Sequence, residues 1–255
     1  MPVVFFGHGS PMNVVSDNPY TAIWRAIGQS LPRPRAILSV SAHWYTRGTG
    51  VTAVERPQTI HDFYGFPQEL YEIRYAAPGD PALARRVKAL LAPVEVALDG
   101  EWGLDHGTWS VLKHAYPAAD IPVVQLSIDG TQPPRWHYET AKRLMPLRDE
   151  GVLVMGSGDI VHNLHKLART PDAKPEDWAL RFDAAIRERI ARGAHDEVID
   201  YAKLGEDARL SVPTPDHYLP LLYCLALQQS GESLRFEAAG AIDIGSVSMT
   251  SFVIG

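Results

Sequence analysis

Four times in this chain a short, nearly unbroken apolar run stops at a small or polar loop. Val3 to Phe6 ends at Gly7, Ala36 to Val40 at Ser41-Ala42-His43, Val123 to Ile128 at Asp129-Gly130, and Val152 to Met155 at Gly156-Ser157-Gly158-Asp159. A strand with one wet face alternates apolar and polar residues, whereas an unbroken run is covered on both faces, so these runs predict a sheet between two helical layers. The expected fold is a single-domain, three-layer α/β/α sandwich with a predominantly parallel or mixed central sheet. It spans residues 1–255, a length that one α/β domain can fill.

The segments between the runs read as helices. Pro81 to Leu91 aligns Leu83, Val87 and Leu90 on one face, with Asp80 as cap and Pro81 in the first turn. Pro134 to Leu147 and Pro175 to Ile190 have the same character, the latter with Trp178, Phe182 and Ile186 at four-residue spacing. A further buried helix is expected from Thr214-Pro215-Asp216 through His217, Tyr218 and Leu221 to about Gln229. Leu234 to Ala238 and Val247 to Val253 read as closing strands, and Gly50 to Tyr75 as an excursion near the mouth of a site.

Charge and composition exclude several classes. A formal charge of −6 with no run of Lys or Arg argues against a nucleic-acid surface, which draws its affinity from clustered basic residues. The start lacks the basic and apolar segments of a signal peptide, and nowhere do 18 apolar residues follow one another, so a soluble cytoplasmic protein with no membrane partner is expected. The single cysteine, Cys224, reads as a small buried hydrophobe. An oligomeric partner leaves no signature.

Of ten histidines, four stand where strand ends converge. His8 follows the first run, His43 the second, His162 the loop after the fourth, and His217 opens the expected last helix. Loops beyond strand C-termini form the ligand crevice of open α/β sheets, so these four form a candidate metal cluster. Neutral imidazole is a common nitrogen donor to zinc and iron. A first-turn position would keep His217 neutral, facing the positive end of its helix, and the glycines around His8 permit unusual dihedrals. Taken singly, each also reads as a hydrogen-bonded cleft or core histidine. His106, between Asp105 and Gly107, reads as an exposed loop histidine at the start of a helix, with Asp105 a local cap and the imidazole free to carry a proton. His61 suits an aromatic pocket, and Trp44 and Tyr218 suit a planar substrate. Asp159 and Ser157 are placed to orient metal-bound imidazoles. His114, His137 and His195 read as solvated, and His165 as support or surface.

GHGSPM at 7–12, SAHW at 41–44, LDHGTW at 104–109, GSGDIVHNL at 156–164 and DHYLPLL at 216–222 together resemble class III extradiol ring-cleavage dioxygenases of the 4,5-DOPA dioxygenase extradiol type. The five ordered motifs span essentially the whole chain. The resemblance implies that His8, His43 and His217 hold one divalent metal, with His162 a fourth ligand or a substrate-side residue, and that His106 is the acid/base residue. It implies Fe(II) for oxygenase activity, with Zn(II) as an alternative bound ion, and a small aromatic diol and O2 as partners. His217 stands where better-known members of the superfamily carry a glutamate, which leaves the site one unit more positive. Two other classes fit the residues: a zinc hydrolase with a metal-activated water, and a noncatalytic metal- or ligand-binding protein.

Overall fold

A computed structural model describes residues 1–168, 170 and 173–255 of the chain. The first half supplies β1 (Val3–Gly7), α1 (Pro19–Ser30), β2 (Ala36–Thr46), β3 (Thr49–Thr52), α2 (Gln68–Glu72), α3 (Pro81–Leu91), β4 (Val96–Asp99), α4 (His106–Ala115) and β5 (Val123–Asp129). Then follow α5 (Pro134–Ala141), α6 (Pro146–Asp149), β6 (Val152–Gly158), α7 (Asp177–Ala191), α8 (His195–Ile199), α9 (Glu206–Ser211) and α10 (Leu219–Leu225). The chain closes with β7 (Leu234–Glu237), the short ribbon of β8 (Ile242–Asp243) and β9 (Val247–Ser248), and β10 (Ser251–Ile254).

Eight strands make one mixed sheet in the order β4-β3-β5-β2-β6-β1-β10-β7. The middle four, β5, β2, β6 and β1, run parallel, and antiparallel pairings of β3 with β5 and of β10 with β1 and β7 flank them. Successive side chains of a strand point to opposite faces, and β1 divides accordingly. Val3 and Phe5 join Leu83 and Val87 of α3, Phe182 and Ile186 of α7, and Leu221 of α10. Val4 and Phe6 join Trp24 and Ile27 of α1 and Trp109 and Leu112 of α4. Each such large apolar side chain removed from water contributes roughly 1.5–3 kcal/mol, which is why the runs need both helical layers. Among the described residues no helix is long and apolar enough to cross a membrane.

Local signals explain most boundaries. Asp80 caps α3 by accepting from the Ala82 and Leu83 amides, and α1 opens with a capping box between Asn18 and Thr21. Four expectations need correction. The helix expected from Pro134 to Leu147 breaks into α5, a 3-10 turn at Lys142–Leu144 and α6, because Pro146 cannot donate a helical hydrogen bond. Val247 to Val253 is split between β9 and β10, which lie in different sheets. The last helix begins at Leu219, so His217 lies in the turn before it rather than in its first turn, and the dipole argument for that residue lapses. β2 does not stop at His43 but continues to Thr46 across a register shift against β5 between Val40 and Tyr45.

Candidate metal centre

That irregular stretch of β2 is what delivers His43. A bulged strand turns locally and re-aims its side chains, and here the ring of His43 swings toward the end of β1. His8 follows β1 directly, its amide donating to Gly158 O at 3.2 Å, and Gly9 after it takes a left-handed φ of 58°. The end of β6 fixes the third histidine, since the Asp159 amide donates to His217 O at 2.9 Å. His8, His43 and His217 each place one ring nitrogen within 4.8 Å of the other two, and Nε2 of His8 is 3.1 Å from Nε2 of His43.

The outer nitrogens explain why the inner ones are bare. Ser157 Oγ donates its only proton to Gly107 O at 2.6 Å, so it accepts from His8 Nδ1 at 3.0 Å and leaves His8 Nε2 a lone pair. His217 Nδ1 bonds Asp216, and His43 Nδ1 stands 3.2 Å from Asp62 Oδ2, which favours the proton on Nδ1 in each. An acceptor on the far nitrogen is how proteins orient imidazoles that bind metals. Burial first, and repulsion among the clustered imidazoles second, holds His8 and His43 well below the usual imidazole range, so they are neutral at physiological pH. Burial would raise Asp216, but its bond to His217 outweighs this and holds it below the usual carboxylate range.

Two buried polar atoms beside this cluster lack a partner: His217 Nε2 and Asp159 Oδ2. Such an atom costs about 1–3 kcal/mol each. One divalent cation would satisfy both, and the donor set of imidazoles suits zinc or ferrous iron. The residues present therefore fit the metal implied by the sequence. Burial pushes the Asp159 carboxyl well above its ordinary value.

His106 is not the exposed loop histidine expected from its glycine neighbour. It is the first residue of α4 and is buried, with Asp105 capping the helix through the Thr108 amide. Its ring centroid is 3.9 Å from that of His43, and its Nδ1 and backbone amide are 2.9 and 2.8 Å from the two oxygens of Asp62. Asp62 thus touches both His43 and His106 through one carboxylate. His162 lies against His217 with ring planes 7° apart and centroids 3.4 Å apart. One donor atom from each of Asp159, His162 and His217 lies within 4.8 Å of the other two. His162 therefore adjoins the centre at His217.

The three residues expected to touch a substrate lie elsewhere or one shell out. Tyr218 is fully buried, donating to Val198 O at 2.9 Å with its ring against Tyr201, because it directly precedes the helix that packs on the sheet. Trp44 follows His43 in the strand and so faces the other side, stacked on Trp102 at 5.4 Å. It lines a cleft of about 1130 Å³ along β3 and β4 to which none of the clustered histidines contributes. His61 bonds Ile73 O at 3.0 Å and packs on Phe63, and it is Phe63 that meets His106, edge to face at 5.5 Å. His137, expected to be solvated, is completely buried against the Tyr223 hydroxyl, because α5 presents it to α10. Asp62 and Asp216 went unselected in the sequence, although each adjoins a motif histidine; adjacency does not tell that Asp62 serves His106 and His43 instead of its neighbour His61.

Comparison with known proteins agrees with this geometry. Residues 5–245 match the family described as the catalytic LigB subunit of aromatic ring-opening dioxygenase. The chain is 51% identical over 259 residues to the 4,5-DOPA dioxygenase extradiol of Escherichia coli K12, covering 100% of this chain and 95% of that protein. It is 37% identical over 260 residues to the 4,5-DOPA dioxygenase extradiol of Beta vulgaris, covering 97% and 96%. The crystal structure of an uncharacterized Escherichia coli K12 protein has the same fold, with a TM-score of 0.87 and 46% identity over the full length of both chains.

Proposed function

The chain belongs to the family of catalytic LigB subunits of aromatic ring-opening dioxygenases and is a metal-dependent extradiol enzyme; we propose that residues 1–255 act as one catalytic unit that opens a catechol such as DOPA with O2 to a muconic semialdehyde. The observation that carries this reading is the convergence of His8, His43 and His217 beside the His106–Asp62 pair. In this reading the three histidines hold Fe(II), His106 is the acid/base residue and His162 stands on the substrate side. Bound there, Fe(II) would supply a Lewis acid for the catechol and an electron source for O2.

The protein's own part is proton handling and positioning. Asp62 accepts from His106 Nδ1 and so leaves His106 Nε2 as the base that takes a hydroxyl proton of the incoming catechol and later returns it. The same carboxylate steadies His43, which ties the position of a metal ligand to that of the base. Phe63, edge-on to His106, keeps water from one side of the imidazole. His162, stacked on His217, presents its ring edge beside the ligands and can bond the substrate. The family match and the relatives named above give no support to hydrolysis.

The test loads metal-free protein with Fe(II) under anaerobic conditions, admits O2, and follows oxygen uptake and product absorbance with DOPA and simpler catechols. One O2 consumed per ring opened is expected. His106→Phe should retain metal and lose at least about 100-fold in kcat, the lower range for a general acid/base. Absence of uptake across the catechol panel at verified Fe(II) occupancy would overturn the assignment.

A further inference from the structure

His162 is joined to the β8–β9 ribbon, and the pairing there brings an acidic residue to its face. His162 forms an antiparallel bridge with Val247, and Val247 pairs on its other side with Asp243. Residues directly opposite each other in antiparallel strands project to the same side, so His162, Val247 and Asp243 share one face. The neighbouring pair, Ile242 and Ser248, turns the other way. Ile242 joins the core that contains Phe182 and Ile186, and Ser248 Oγ donates to Asp183 Oδ1 at 2.6 Å. Asp243 therefore faces the side on which the His162 ring meets His217. Its charge is felt on that side: burial first, and the Asp243 carboxylate after it, raise both the Tyr20 phenol at the start of α1 and Asp159, whose Oδ2 is 3.5 Å from His8 Nε2.

Asp243 has no cation of its own among the described residues. Its Oδ1 accepts from the Ile244 amide at 3.0 Å, which pins the carboxylate to its own turn, and burial raises it with only that bond in opposition. From Asp243 to His162 is two ladder spacings, about 9–10 Å at roughly 4.7–4.9 Å each. A catechol ring carrying an amine on a short alkyl chain covers a span of that order. We propose that Asp243 sets the specificity of the centre by binding the ammonium group of such a substrate while its ring lies at the histidines. The inference rests on the reading of His8, His43 and His217 as a catechol-binding metal centre. An ammonium beside Asp243 supplies the charge that the half-buried carboxylate lacks, and it holds the ring with its hydroxyls toward the histidines. A catechol without the amine gains nothing there, and one carrying a carboxylate in its place is repelled, so a single side chain selects by attraction and by exclusion.

The experiment loads wild type, Asp243→Asn and Asp243→Glu with Zn(II), which binds catechols without passing electrons to O2, and measures the affinities of dopamine and 4-methylcatechol by calorimetry. Wild type should bind dopamine at least about tenfold more tightly, a modest value for a charge-assisted hydrogen bond. Asp243→Asn keeps an acceptor for the Ile244 amide, so it removes the charge and not the turn, and it should abolish the preference. Asp243→Glu should retain a preference for dopamine. Equal affinities in wild type, or a preference undiminished in Asp243→Asn, would overturn the proposal. Loss of 4-methylcatechol binding together with dopamine binding in Asp243→Asn would make Asp243 a support of the hairpin alone, and would overturn it too. Failure of both catechols to bind Zn(II)-loaded wild type would instead refute the reading of the centre on which the proposal rests, so the two failures are distinct.

Discussion

His137 shows most clearly how a residue of one type can serve a different purpose from its neighbours. It is as buried as His8, yet its Nδ1 meets the Tyr223 hydroxyl at 2.9 Å, in the layer between α5 and α10. Burial lowers it to about 4 from an ordinary 6.5. Between those values the unfolded chain binds a proton that the folded one refuses, so stability rises with pH there and is lost as pH falls through 6.5 toward 4. The stabilisation is complete above the unfolded value, and at pH 4.5 roughly 2–3 kcal/mol of it should be gone. Urea unfolding of wild type and His137→Gln at pH 7 and 4.5 measures this. The gap between the two proteins should shrink on acidification, and a gap independent of pH would contradict it.

At the scale of elements, the site depends on how the start of α4 meets the irregular part of β2. Gly107, the second residue of α4, has no room for a side chain: an added Cβ would stand 2.6 Å from Ser41 Oγ and 2.8 Å from His43 Cδ2. Alanine normally favours a helix over glycine by about 0.5–1 kcal/mol. Here it must displace Ser41 or the His43 ring, with an overpacking cost of about 1–3 kcal/mol. Gly107→Ala is therefore expected to weaken Zn(II) binding about tenfold or more in a chelator competition. Gly100→Ala, at a position with open space around it, should leave affinity unchanged. Equal affinities in the two variants would show that this packing does not set the position of His43. The same contact carries Ser41 to Asp105, whose carboxyl burial raises to about 6, so the helix cap and the bulge share one hydrogen-bonded unit.

Across the whole molecule, the proposed ligands come from the end of β1, the bulge of β2 and the turn before α10. An ion there joins segments as far apart in sequence as 8 and 217, a set of donors that the unfolded chain does not assemble. Metal at about 100 times its dissociation constant should then stabilise the native state by about 2.7 kcal/mol. At about 2–4 °C per kcal/mol for a chain of this size, that is a rise in Tm of about 5–10 °C over chelator-treated protein. Calorimetry at confirmed occupancy checks it, and an unchanged Tm would rule out preferential binding to the native state. The sequence by itself determined the layered α/β class, the strands that lead to His8, His43 and Asp159, the Asp80 and Asp105 caps, and the grouping of the motif histidines. Those features are local, written in apolar runs, capping residues and motif order. Only the tertiary structure decided that Asp62 serves His43 and His106, that His162 stacks on His217, that Trp44 and Tyr218 face away, and that His137 is core. Each of these depends on which way a side chain turns after a bulge, a proline or a helix start, and on neighbours tens of residues away. A one-residue change in strand direction reverses the face, and no local pattern records it.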